Sequence, residues 1–234
     1  MMTTVLKRAA LALAAGSMLL GTVRAGDEKT LPFDVELGAD VYSHYVWRGL
    51  VLNEDPVVQP SVTISKEMVG GTVAFNVWSS FDLTDFSEAN GSAGHLQELD
   101  YTLSYAKSLT EWIDFEAGVI YYRFHGTTFA STWEGYASLS FPATCFVTPS
   151  ITAYYDFDEV DGWYVKAALD REFAVTEAVT LGLSTSLGYA DADYNAFYFG
   201  VDESAFTDLE FGASLSSQVT ESFSVGISAG YMLL

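Results

Sequence analysis

Apolar and small polar residues alternate through the last stretch of the chain: Phe223, Val225, Ile227, Ala229 and Tyr231 are separated by Ser224, Gly226, Ser228 and Gly230. A period of two gives an extended strand two chemically opposite faces. The same beat recurs from Asp34 onward at intervals of roughly 15 residues. It predicts eleven strands, at 33–50, 57–66, 71–82, 97–107, 112–124, 132–141, 145–156, 162–173, 178–190, 206–218 and 222–233. The connections alternate between short ones, such as Glu67 to Gly70 and Val219 to Glu221, and longer ones at 51–56, 83–96, 125–131, 157–161 and 191–205. Short turns at one end and long loops at the other are the arrangement of a membrane barrel.

Separating the faces strengthens that expectation. One carries residues such as Val73, Phe75, Leu103, Val119, Leu183, Phe211 and Leu215, and is assigned to lipid. The other carries Asp40, His44 and Arg48; Glu98 and Asp100; Asp114 and Glu116; Lys166 and Asp170; Asp208 and Glu210. Charges in the middle of so many strands are costly against hydrocarbon but tolerable in a wet or mutually paired lumen, so these eleven residues are the candidate lumen-lining, selectivity-determining set. Tyr45, Trp47, Tyr121, Trp133, Trp163, Tyr189 and Tyr231 are expected to form an aromatic girdle towards the long loops. Phe33, Phe115, Phe141, Phe173 and Phe223 form one towards the short turns.

The first 25 residues have a different character. Lys7 and Arg8 precede an apolar run from Ala9 to Val23, and Val23-Arg24-Ala25 fits a cleavage site, so residues 1–25 read as a secretory leader and 26–234 as one barrel domain. The whole chain carries a formal charge of −21; losing Lys7, Arg8 and Arg24 leaves seven of the ten basic residues against 31 acidic ones, a charge of −24. That surplus argues against nucleic-acid binding, which needs basic patches. With 50% hydrophobic and 15% aromatic residues the chain has too much apolar surface for disorder. Cys145 is the only cysteine, so no intrachain disulfide forms. The fold class expected is therefore all-β, an antiparallel transmembrane barrel of 10–12 strands in the bacterial outer membrane.

Candidate chemistry is concentrated in the first hairpin. Asp40, His44 and Arg48 are spaced by four, which on a continuous strand places them on one inward face. Such a ladder suits an anion; alternatively Arg48 pairs with lumenal carboxylates such as Glu98 or Asp100 and stiffens the wall. Acids cluster in the long loops, at Asp82, Asp85 and Glu88; at Asp156, Asp158, Glu159 and Asp161; and at Asp191, Asp193, Asp202 and Glu203. They are candidate sites for divalent cations, but the run from Asp156 to Gly162 has Val160 at the fifth position and no bidentate Glu at the twelfth, so solvated loop acids are the reading adopted. Catalysis is not expected and no cofactor is called for: no nucleophile elbow or HExxH motif occurs, and Ser43 beside His44 on one strand would face the opposite way.

The run Tyr45-Val46-Trp47-Arg48-Gly49, followed by Asn53-Glu54-Asp55-Pro56 and Gln59, resembles the first hairpin of the TorF-family porins, outer-membrane proteins of largely unassigned function. Trp78, Tyr121-Tyr122-Arg123 and Tyr154-Tyr155 follow in the same order. The resemblance implies about twelve strands and a terminal aromatic; here the sequence reads Met232-Leu233-Leu234 after the eleventh strand, and Asn195 to Val201 is the place where a further strand is sought. Together these features lead us to expect a small porin passing or binding a small polar, cationic solute. A plugged structural or adhesive barrel acting through its loops is the alternative, and a lipid-modifying enzyme a third. Small inward residues in the late strands, among them Gly182, Ser184, Gly212, Ser214, Gly226 and Ser228, leave room along one wall.

Overall fold

The computed structural model describes residues 32–84, 94–142 and 146–234 in full and 12–25 as backbone. Lys7, Arg8, Asp85, Glu88, Cys145 and the side chains around the expected cleavage point lie outside the described residues. The strands are β1 (Ala12–Ala25), β2 (Asp34–Tyr42), β3 (Tyr45–Trp47), β4 (Leu50–Asn53), β5 (Val57–Met68), β6 (Gly71–Asp82), β7 (His95–Thr110), β8 (Ile113–Phe124), β9 (Thr132–Ser140), β10 (Thr148–Asp156), β11 (Gly162–Ala174), β12 (Val179–Ala190), β13 (Ala205–Thr220) and β14 (Phe223–Leu233). Among the described residues one helix, α1 (Ala192–Phe199), interrupts them. Among the described residues no helix is long and apolar enough to cross a membrane.

Apart from the small hairpin β3–β4, eleven strands from β2 to β14 pair antiparallel with their sequence neighbours, as the alternating pattern requires. Their bounds fall within a few residues of the expected ones, with one exception described below. The segment β1, expected to belong to a leader, pairs antiparallel with both edges of this sheet: Met18 lies opposite Ile227 of β14 and Val41 of β2.

The registers keep the two faces separate around the sheet. Phe75 lies opposite Leu103, Leu103 opposite Val119, and Leu215 opposite Ile227, all on the apolar outer face. Trp78 lies opposite Asp100, Asp100 opposite Tyr122, and Glu210 opposite Ser186, all on the inner one. Leu103 and Ile227 are more than half exposed, so among the described residues no second layer covers this outer face. Outer-face rings pack across strands at the long-loop end, Tyr121 tilted against Trp133 and Tyr155 stacked on Trp163, each at 4.6 Å between centroids.

The exception is the first strand, expected at 33–50. It ends at Tyr42; Ser43 and His44 form a bend, and β3 and β4 then make a separate hairpin through the two-residue turn Arg48-Gly49. Both turn residues have positive φ, 45° and 86°, as a type I′ turn requires. The hairpin folds onto the inner face. Tyr45 packs on Trp78 of β6, Trp47 on Tyr122 of β8, and the Arg48 guanidinium on Tyr154 of β10 and Tyr164 of β11. A segment this short reaches so many strands at once only because the sheet curls around it. Tyr45 and Trp47, expected in an outer girdle, are therefore interior residues.

The long connection after β12 holds α1 where a further strand was sought. Asp191 caps the helix by accepting from the Tyr194 N–H at 2.9 Å, and Gly200 ends it in the left-handed conformation. Gly162 makes the seat: a Cβ there would lie 2.6 Å from the Tyr194 backbone nitrogen.

Candidate functional site

The centre of the inner face at the long-loop end is Arg48. Its Nη1 and Nη2 donate to Oε2 and Oε1 of Glu134 at 2.7 and 2.8 Å, a two-pronged ion pair with side chains only 10% and 3% exposed. The guanidinium also lies over three rings, 4.5 Å from Trp47, 3.9 Å from Tyr154 and 4.8 Å from Tyr164. Burial by itself would favour loss of the Arg48 proton, but the Glu134 carboxylate beside it more than offsets this and holds the arginine pKa above its ordinary value. The side chain is a permanent buried cation.

Around this pair the packing is dense. Tyr122 donates to Glu134 at 2.9 Å, and the Tyr164 hydroxyl lies 3.1 Å from both oxygens of Asp208. Tyr194 and Tyr198 of α1 close on Trp47, with centroids at 6.4 and 5.3 Å. Gly49 has Leu234, Phe199 and Asp208 against it. Asn53, fully buried, donates to Gln97 at 3.1 Å and accepts from the Asp55 N–H at 2.8 Å, tying the end of the hairpin to β7.

Below the hairpin the interior opens. A cavity of about 650 Å³ extends from Tyr42–Val46 to Glu172 and Gly182, two and three residues from the short-turn ends of their strands. Its wall is the set of small residues expected to leave room, including Ser184, Gly212, Ser214 and Ser228. Lys166 donates to Glu210 at 3.1 Å, Ser186 donates to the same Glu210 oxygen at 3.1 Å, and Asp170 lies on the wall nearby.

The expected site residues therefore divide into separate groups. Arg48 and Asp208 belong to the plugged end. Glu98 is buried there and takes a hydrogen bond from Tyr45, while an oxygen of Asp100 is buried with no hydrogen-bond partner. His44, Lys166, Asp170 and Glu210 line the large cavity. Asp114 and Glu116 line a second one of about 550 Å³ at the short-turn end, where Ser108 donates to Asp114 at 2.6 Å and Tyr136 donates to Glu116. Asp40 is on the inner face of β2 opposite Gln59, with one oxygen buried and without a hydrogen-bond partner.

Several expectations are corrected by this geometry. Asp40, His44 and Arg48 do not form a ladder, because alternation ends with the strand at Tyr42 and a bend and a turn re-aim the other two. Arg48 pairs with Glu134, not with Glu98 or Asp100. Ser43 and His44 do meet, Oγ to Nδ1 at 2.9 Å, because in a bend neighbouring side chains no longer oppose each other. Among the described residues no carboxylate bonds to His44 to orient it. Asp156 is not a solvated loop acid: it is 2% exposed, and Oδ1 takes the Thr132 hydroxyl at 2.8 Å and the backbone N–H groups of Asp158, Glu159 and Val160 at 3.1 to 3.2 Å. Among the described residues no cluster of His, Cys, Asp and Glu is arranged to hold a metal ion.

Glu134 was missed in the sequence. The signal was present: it is the one acid in the alternation of β9, at the same parity as Thr132 and Tyr136. No curated protein matches the chain. A bacterial family of unknown function does, over residues 26–231, a span that begins where the expected leader ends. The chain belongs to that family, Gcw_chp.

Proposed function

We propose that the chain is an outer-membrane β-barrel that admits or binds a small polar, cationic solute in its lumen, with the hairpin β3–β4 closing the long-loop end. The antiparallel order, the apolar exposed outer face, the alternation of short and long connections and the resemblance to TorF-family porins all support a barrel in a bilayer. The polar cavity of about 650 Å³ provides the solute space, and with the inner-face acids Asp170, Glu172 and Glu210 against the inner-face Lys166 its field favours cations. The observation that carries the closed state is Arg48, pinned to Glu134 and stacked on rings from β10 and β11.

Single-channel recording in planar bilayers tests this reading. The wild-type protein conducts little; deleting residues 45–53, or replacing Arg48 by Ala, raises the conductance several-fold with a preference for cations. If neither variant conducts, the pore reading fails. That outcome favours a plugged structural barrel acting through its loops, a reading supported by how many strands the hairpin contacts.

A further inference from the structure

Charge is sorted radially in this sheet. In the registers of the strands around the hairpin, every aspartate and glutamate has inner-face parity, including those two or three residues from a strand end. Four cations have outer-face parity: Lys66 opposite Val73, Lys107 opposite Phe115, Arg123 opposite Leu99 and Arg171 opposite Leu183. Three of them cluster at one height. Lys66 lies two residues from the end of β5, Lys107 three from the end of β7 and Arg171 three from the end of β11, all at the short-turn end.

Arg171 sits against apolar rings, while Lys107 is at the rim of the short-turn-end cavity that Glu67, Asp114 and Glu116 also line. The Arg171 guanidinium carbon lies 4.3 Å from the Phe146 ring centroid and 5.1 Å from that of Phe173, and its Nε is buried with no hydrogen-bond partner. Lys107 extends its Nζ towards the turn, lying 3.6 Å from where a Cβ on Gly70 would sit. Lys66 is exposed. No carboxylate shares the outer face of these strands to neutralise them, although the chain has a threefold excess of acids over bases. A cation left unpaired beside hydrocarbon is costly; one reaching to the headgroup level is stabilised by phosphate.

We infer that Lys66, Lys107 and Arg171 bind the phosphates of anionic phospholipid in the leaflet that surrounds the short-turn end. The inference rests on the barrel reading. Lysines act there as point charges, while Arg171, seated over Phe146 and Phe173, has a fork of N–H donors suited to a phosphate. Arg123, alone at the long-loop end, has no such neighbours at its height.

The test uses the full protein incorporated into nanodiscs of equimolar phosphatidylglycerol and phosphatidylcholine, with retained lipid counted by native mass spectrometry. The wild-type protein retains phosphatidylglycerol several-fold over phosphatidylcholine. The variant Lys66→Gln/Lys107→Gln/Arg171→Gln, shown to be folded by its heat-dependent gel migration, retains both equally, and Lys66→Arg/Lys107→Arg keeps the preference. Equal retention by the wild-type protein, or an undiminished preference in the triple Gln variant, overturns the inference. Failure of the wild-type protein to enter these nanodiscs overturns the barrel reading instead.

Discussion

Arg48 and Glu134 stand 86 positions apart in the chain and meet in a two-pronged ion pair at 2.7 and 2.8 Å, nearly excluded from solvent. This contact joins the tip of the hairpin to β9 on the inner face. Arg48 adopts φ 45°, a conformation that costs a non-glycine side chain of order 1–3 kcal/mol, and it persists because the ion pair and three aromatic rings over-determine it.

Breaking the pair on one side leaves the other charge buried. Glu134→Gln is expected to lower stability by about 3–5 kcal/mol. Replacing both partners, Arg48→Met with Glu134→Leu, is expected to cost much less, since no unpaired charge remains. Urea unfolding in lipid vesicles checks the difference; equal losses for the single and double variants would contradict a pair that is buried in the folded state.

The seat of α1 depends on one hydrogen atom. In Gly162→Ala the new methyl would meet the Tyr194 backbone at 2.6 Å, a contact with main chain that no rotamer change relieves. The helix is expected to lift from β11, at about 1–3 kcal/mol. Limited proteolysis reads this as faster cleavage within 191–204, with the strands unaffected.

Val69 carries φ 59° in the two-residue turn between β5 and β6, followed by Gly70 at φ 74°. A β-branched residue is poorly suited to the left-handed region, where asparagine is at ease. Val69 is 84% exposed, so its side chain adds little packing. Val69→Asn is expected to raise stability by about 1 kcal/mol, seen as a higher melting temperature in detergent.

Selectivity should follow the acids of the large cavity. In a background opened by Arg48→Ala, adding Asp170→Asn, Glu172→Gln and Glu210→Gln removes all three inner-face acids that oppose Lys166 on that wall. Reversal potentials in a salt gradient are expected to move from cation preference towards anion preference. An unchanged reversal potential would place the ion path elsewhere.

The inner and outer faces could be read from the sequence because both follow from parity alone. A side chain two residues along a strand points the same way, so Glu98 and Asp100, or Lys166 and Asp170, kept their expected side wherever the strand was continuous. The first strand misled because His44 and Arg48 keep the parity of Asp40, with Tyr45 and Trp47 on the other, while the backbone bends at Ser43 and turns at Arg48-Gly49. Its faults there, Ser43 among apolar residues and Val46 among polar ones, do not by themselves separate a bend from an imperfect strand.

The amino-acid order by itself determined the local periods: strand spans, the sides on which charges lie, the short and long connections and the acidic balance, all set by residues a few positions apart. Only the tertiary structure decided which charge Arg48 meets, that Tyr45 and Trp47 point inward, and that the long-loop end is filled while the Ser- and Gly-lined wall stays open. Those outcomes depend on how the sheet curls around the hairpin. Curvature brings β6, β8, β10 and β11 within reach of one short segment, and no pairwise spacing along the chain encodes that distance.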